Sequence, residues 1–223
     1  MPVINLTDYS TAEHIFFAIG CFLWVLTYGI VIRNIHKDKF IEIPVVAICA
    51  NFAWEFLWSF VFITNMGSLY VWGYRLWFFM DCYIFYYLFK LGEKQIDIAY
   101  IKKHFTGTLI FCFVCWFAVL YFYIKIYDAP ISKMGAYSGY VINVLMSALY
   151  ILLILRTDNI KAFSMPSAWF KGIGTILISV FCFMHFDDAF LLILCVITGV
   201  LDAIYIYTLY NLKKGIISKI QNA

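Results

Sequence analysis

The sequence predicts an all-α membrane protein, a bundle of seven transmembrane helices. Of the 223 residues, 65% are hydrophobic and only 13% are charged. Soluble domains contain about 45–50% apolar and about 25% charged residues, so a soluble enzyme and a nucleic-acid-binding protein are excluded. The apolar residues form runs near the length of about 20 that crosses a bilayer. We therefore expect a single transmembrane domain over residues 1–223, with the lipid bilayer around it.

Seven apolar runs predict the helices in order. Each run is bounded by polar or charged residues, and each is too long and too continuous to be a half-buried strand. Pro44, Pro130 and Pro166 fall in the predicted loops or at helix starts, where proline is tolerated. The acidic pair Asp187-Asp188 precedes the last run and is expected to cap the turn into it. The runs cover about 14–32, 42–63, 71–89, 105–124, 137–155, 170–185 and 189–210.

The basic residues predict the orientation of this bundle. Seven crossings place the termini on opposite sides, and cytoplasmic loops carry an excess of Lys and Arg. Of the 16 Lys and Arg residues, all but Arg75, Lys125 and Lys133 fall on the side of the C-terminus, including Lys171 and Lys219. We expect the N-terminus outside and the C-terminus in the cytoplasm. The membrane would be the cytoplasmic membrane of a bacterium or the endoplasmic reticulum of a eukaryote. The sequence leaves the oligomeric state open.

Three acidic residues lie near the middle of predicted spans. They are Glu55 in the second run, Asp81 in the third and Asp202 in the seventh. Placing such a residue there costs at least about 2.5–3.5 kcal/mol on insertion scales. No Lys or Arg is predicted at that depth, so desolvation favours the neutral acid. A protonated carboxyl group can act as a general acid. The structural alternative is that these acids join helices through hydrogen bonds.

Amide and aromatic residues accompany the acids at helical spacing. Asn51 precedes Glu55 by one turn and can orient its carboxyl group. Aromatic faces attract cations in a dry pocket, although many aromatic residues of a membrane protein simply face lipid or its interface. The residues predicted to support the site are Asn51, Trp54, Trp58, Trp77, Asp81, Asn143 and Tyr205.

Two segments resemble a known family. Asn51-Phe52-Ala53-Trp54-Glu55 resembles the Asn-x-x-Trp-Glu signature of the membrane-bound terpene cyclases, which serve fungal meroterpenoid and indole-diterpene pathways and have bacterial relatives. Leu201-Asp202-Ala203-Ile204-Tyr205 is similar to the Asp region in the last helix of that family. The chain length and the predicted span count also agree, so the resemblance covers the whole chain in outline.

The resemblance implies a class II-like cyclisation that needs neither a metal nor another cofactor. The substrate would be a linear prenyl chain, with or without an aromatic head group. Glu55 would protonate a terminal epoxide or alkene of this chain. Asp202 would keep Glu55 protonated through a shared hydrogen bond or assist from the opposite side. The sequence also contains no HExxH, DDxxD or DxDD motif, so no metal ligands are predicted.

Other functions remain open at this point. A small proton-coupled transporter also uses acids at the midplane, but such carriers commonly contain repeated halves, and the sequence contains no matching halves. A membrane scaffold would need Glu55 and Asp202 only for stability. A prenyltransferase would need Asp-rich loops that bind diphosphate, and the sequence does not contain them.

Overall fold

The computed structural model describes residues 1–96 and 98–216, and helices dominate both ranges. Eight α-helices form within these residues. They are α1 (Thr11–Asp38), α2 (Val45–Phe56), α3 (Ser68–Leu91), α4 (Ala99–Lys103), α5 (Phe105–Tyr123), α6 (Ala136–Arg156), α7 (Met165–His185) and α8 (Ala189–Lys213). Two π-helical turns extend α2 and α5, over Leu57–Val61 and Ile124–Asp128.

The all-helical class predicted from composition is confirmed, but the predicted number of helices is wrong. Each of the seven apolar runs contains one long helix, and the additional helix is the short α4, which has only 5 residues. It follows the polar segment after α3, where no apolar run signals a helix. Lys219, counted above among the basic residues near the C-terminus, lies outside the described residues.

Within residues 1–96 and 98–216, five helices are long and apolar enough to cross a membrane, which supports an integral membrane protein. They are α1, α5 with its π-helical extension, α6, α7 and α8. Helix α2 and the following π-helical turn form a shorter apolar segment, Val45–Val61. Helix α3 has 24 residues and carries Arg75, Asp81 and Lys90 along its length.

Side-chain caps fix where several helices begin. The Ser10 hydroxyl accepts a hydrogen bond from the Glu13 backbone N–H, and the Glu13 carboxylate accepts one from the Ser10 N–H, which forms a capping box for α1. Asp188 caps α8 by accepting from the Leu191 N–H at 2.9 Å, so its predicted role is confirmed. Ser164 caps α7 in the same way through the Ser167 N–H.

Helices α1 and α7 pack against each other more extensively than any other pair. Gly20 and Gly174 allow this close approach. A Cβ atom at Gly20 would lie 2.8 Å from the Gly174 carbonyl oxygen, and one at Gly174 would lie 3.0 Å from the Gly20 carbonyl oxygen. Small residues bring membrane helices together in this way.

Helix α2 lies between α3, α5 and α6. Its regular α-helical hydrogen bonding ends at Phe56, and the π-helical turn Leu57–Val61 follows. Such turns often occur at functional sites because they displace neighbouring side chains from their regular positions. Glu55, which is 2% exposed, lies two residues before the first residue of this turn. The fold therefore places the acid of the second run in the interior.

Candidate active site

A cavity lies between α1, α2, α3, α6 and α7. Its volume is about 80 Å³, larger than the ~10–15 Å³ that one water molecule needs. Glu55, Asn51 and Asn143 are its polar residues from the predicted site. Half of the other residues in the wall are aromatic. The aromatic side chains of the wall are Phe17, Trp24, Tyr28, Trp54, Tyr74, Trp77 and Tyr140.

Glu55 receives two hydrogen bonds on the same carboxyl oxygen. The Tyr28 hydroxyl donates to Glu55 Oε1 at 2.5 Å, and Asn51 Nδ2 donates to the same atom at 2.9 Å. Glu55 Oε2 is buried and has no hydrogen-bond partner in residues 1–96 and 98–216. Both donors are neutral groups, so the acid is oriented without a cation beside it.

Asn51 joins Glu55 to a second buried acid. Its Nδ2 atom lies 2.8 Å from Asp81 Oδ2 as well as 2.9 Å from Glu55 Oε1. A side-chain amide has two N–H hydrogens, so it can serve both carboxyl groups at once. Asp81 does not line the main cavity, but it lines a smaller adjacent one of about 10 Å³. The structure therefore places Asp81 directly behind Asn51 and Glu55.

Trp54 is held in the cavity wall by a hydroxyl group of α6. Its Nε1 donates to Ser138 Oγ at 2.7 Å. Ser138 Oγ in turn donates to Asp128, which also accepts a hydrogen bond from the Ser138 backbone N–H at 2.7 Å. Trp58 Nε1 reaches the same Ser138 hydroxyl at 3.3 Å, and Trp58 is almost fully buried. Trp58 therefore supports the wall but does not line it.

The other predicted residues divide between the wall and its surroundings. Trp77 lines the cavity, stacks on Tyr74 with ring centroids 5.5 Å apart, and has no hydrogen-bond partner for its buried Nε1 in the described part of the chain. Asn143 also lines the cavity. Tyr205 does not, and its ring packs against Tyr150 at 4.9 Å.

Asp202 lies in a different environment from Glu55. Lys171 Nζ is 2.5 Å from Asp202 Oδ1, and both side chains are almost fully buried. Ser147 Oγ donates to the same oxygen at 2.6 Å and accepts from Lys171 Nζ at 2.8 Å. The prediction that no Lys or Arg pairs with a midplane acid is therefore wrong for Asp202. Lys171 is counted above among the basic residues on the side of the C-terminus, but its side chain is buried in the second turn of α7.

The two predicted catalytic acids do not meet in the structure. No hydrogen bond or ion pair joins Glu55 to Asp202 in the residues that the structure covers, and Asp202 does not line the cavity that contains Glu55. Asp202 instead borders a groove between α7 and α8, beside exposed residues such as Trp169 and Tyr207. One buried oxygen, Asp202 Oδ2, has no partner within those residues.

Sequence reasoning missed several residues that organise the site. Tyr28 and Lys171 were detectable as polar groups inside apolar runs. Ser138 and Asp128 carried no comparable signal, because a hydrogen bond between Trp54 and Ser138 joins residues 84 positions apart. Such a contact depends on which helices become neighbours, and hydrophobic periodicity does not specify that.

Comparison of the sequence with known families identifies the family of this chain. The sequence profile of the Pyr4-like transmembrane terpene cyclases matches residues 5–215, nearly the whole chain. The chain belongs to this family. The predicted resemblance is therefore confirmed, and the protein is grouped with enzymes named terpene cyclases.

Curated relatives in this family are fungal and distant in sequence. The chain is 25% identical over 202 residues to the Pyr4-family terpene cyclase mfmH of Annulohypoxylon moriforme, covering 86% of this chain and 82% of the relative. It is 24% identical over 169 residues to the terpene cyclase macJ of Penicillium terrestre, covering 72% of this chain and 62% of that relative. No solved structure matches the chain significantly.

Proposed function

We propose that this protein cyclises a linear prenyl chain inside the membrane, with Glu55 as the general acid. The observation that carries the proposal is the hydrogen bonding of Glu55. Its Oε1 accepts from Tyr28 and Asn51, while Oε2 has no partner within residues 1–96 and 98–216. Because both donors occupy Oε1, the acidic proton belongs on Oε2, from which it can be given to a substrate in the cavity.

The chemistry of the wall supports a cationic intermediate. Protonation of a terminal epoxide or alkene breaks a C–O or C=C π bond and leaves an electron-deficient carbon. A neighbouring alkene then supplies the electron pair of each new C–C bond, and loss of a proton from the last cation completes the reaction. Substrate and product are isomers, and no redox partner is required. Aromatic faces stabilise such cations in a desolvated site, and seven aromatic side chains line the cavity.

The proposal extends to the arrangement in the membrane. We propose that α1, α2, α3, α5, α6, α7 and α8 cross the bilayer, with the N-terminus outside and the C-terminus in the cytoplasm. The support is the concentration of basic residues towards one end of the bundle. The same residues do not distinguish a bacterial cytoplasmic membrane from the endoplasmic reticulum. Labelling of single cysteines introduced near Thr7 and Lys214, in intact cells and in permeabilised cells, tests the orientation.

Product analysis by mass spectrometry tests the proposed reaction. Membranes containing the protein are incubated with C15 and C20 prenyl compounds, with and without a terminal epoxide and an aromatic head group. We expect a new isomer of unchanged mass. Glu55→Gln membranes should not form it, whereas Glu42→Gln membranes should, because Glu42 is a buried carboxyl group in the loop between α1 and α2, outside the site.

Two results would count against this function. An isomer that forms equally in the Glu55→Gln variant would remove Glu55 as the acid. No isomer from any compound, with the folded protein confirmed by detergent gel filtration, would contradict the cyclase proposal for these substrates. Substrate-driven proton uptake in proteoliposomes would then favour the transporter.

A further inference from the structure

The buried ion pair between Lys171 and Asp202 has no place in a proton transfer from Glu55. Both residues are 2% exposed, and desolvating two charges is costly unless they pair and their remaining hydrogen bonds are satisfied. Ser147 supplies a further hydrogen bond to each partner. Together with Ser147, the pair connects α6, α7 and α8 at one point.

Lys171 also contacts the aromatic wall of the site. Its Nζ atom lies 5.7 Å from the ring centroid of Trp24 and 5.8 Å from that of Tyr150. Trp24 lines the cavity that contains Glu55. A lysine cation beside an aromatic ring interacts with the same π electrons that would stabilise a second cation at that ring. An unpaired lysine at this position would therefore oppose the positive charge that develops on a cyclising prenyl chain.

We propose that Lys171 is a positioning residue of this site and that Asp202 acts by neutralising it, not by donating a proton to substrate. The pair fixes Trp24 and the α6 wall, in which Asn143 lies one helical turn before Ser147. Asp202 keeps the net charge beside Trp24 at zero while the prenyl cation forms. This inference rests on the proposed cyclase function, since it assigns a role within the same site.

Paired neutral substitutions separate this role from acid catalysis. We expect Asp202→Asn and Lys171→Met each to lower kcat by about tenfold or more, because either change leaves a buried charge without its partner. The double variant Lys171→Met/Asp202→Asn should recover to within about threefold of the wild-type kcat, because it removes both charges. A proton donor cannot be recovered in this way. A double variant as inactive as Asp202→Asn, with equal amounts of folded protein, would overturn the proposal.

A second measurement separates electrostatic neutralisation from a merely structural role. A prenyl tertiary amine, which is protonated at neutral pH, mimics the carbocation, and its neutral hydrocarbon isostere does not. Binding of both is measured by quenching of tryptophan fluorescence, without turnover. Asp202→Asn should weaken binding of the amine at least about tenfold more than binding of the isostere. The double variant should restore the wild-type ratio of the two affinities. Equal weakening of both compounds would show a structural role only and overturn the proposal.

The controls keep this inference distinct from the proposed function. Glu55→Gln should abolish cyclisation in the wild-type and in the double-variant background. Activity of Glu55→Gln would refute the general acid and leave the fluorescence result on Lys171 intact. Conversely, a failed double-variant rescue with an inactive Glu55→Gln would refute the role of Lys171 and leave Glu55 as the acid. Lys171→Arg should retain more activity than Lys171→Met, because it keeps the charge of the pair.

Discussion

The surroundings of Glu55 and Asp202 share a pattern and differ in one component. In each, one carboxyl oxygen accepts two hydrogen bonds and the other is buried without a partner in the described residues. The donors to Glu55 are neutral, whereas one donor to Asp202 is the ammonium group of Lys171. Glu55 is therefore oriented by uncharged groups only, whereas Asp202 is held in an ion pair. Similar burial therefore gives these acids different chemistry.

The largest expected effect concerns the acid with neutral donors. Glu55→Gln keeps a carbonyl oxygen that accepts from Tyr28 and Asn51, but it replaces the acidic O–H by an amide. We expect kcat to fall by at least about 100-fold, the lower end of the range for general acid catalysis, with KM nearly unchanged. Steady-state kinetics on the active prenyl compound measures both. A loss for Glu55→Gln no greater than that for Asp202→Asn would break the comparison.

A smaller loss is expected from the acid behind Asn51. In Asp81→Asn the side-chain oxygen still accepts from Asn51, so the amide that orients Glu55 keeps its second partner. Only the ionisable group is lost, and we expect kcat to fall by about tenfold or less. A wild-type rate would make Asp81 structural. A loss as large as that of Glu55→Gln would instead make the two carboxyl groups a functional pair.

The next smaller loss of kcat is expected when the hydroxyl of Tyr28 is removed. Tyr28→Phe keeps the aromatic ring in the cavity wall and removes one of the two donors to Glu55 Oε1. The net value of one hydrogen bond is about 0.5–1.5 kcal/mol, so we expect kcat to fall by roughly two- to tenfold. Tyr140→Phe is the matched control, since Tyr140 also lines the cavity but its hydroxyl bonds to Ser179. Equal losses in both variants would contradict a specific role for Tyr28.

The sequence predicted the Glu55 environment far better than the Asp202 environment. Asn51 and Glu55 are one helical turn apart, so periodicity alone places them on one face, and the structure shows the contact. Asp202 and Lys171 belong to different helices, 31 positions apart. Lys171 lies at the edge of an apolar run, and it was counted only among the basic residues that predict the orientation. Helix positions follow from local pattern, whereas partners across helices depend on packing.

The smallest expected effect uses a third buried acid to examine the rule behind the comparison. Glu42 lies in the loop between α1 and α2, and its Oε2 accepts from the Ser164 N–H at 2.8 Å. Its other oxygen is buried without a partner in residues 1–96 and 98–216, as in Glu55. Burial raises the pKa of Glu42 from 4.5 to about 7, although the hydrogen bond from Ser164 and the charge of Lys213 act in the opposite direction. Glu42 is therefore a second buried acid with a neutral hydrogen-bond donor, and its titration can be followed.

The sign of the pH effect follows from this raised pKa. Between pH 4.5 and about 7 the folded protein holds the Glu42 proton more tightly than the unfolded chain does, so stability falls as the pH rises through this window. Glu42→Gln keeps the acceptor for Ser164 and removes the titration. Relative to this variant, the wild type should lose about 1–3 kcal/mol of stability between pH 4.5 and pH 8. Thermal unfolding in detergent at several pH values measures the difference. If stability depended on pH in the same way in both proteins, burial beside a neutral donor would not keep the Glu42 carboxyl group protonated. The same argument would then fail for Glu55.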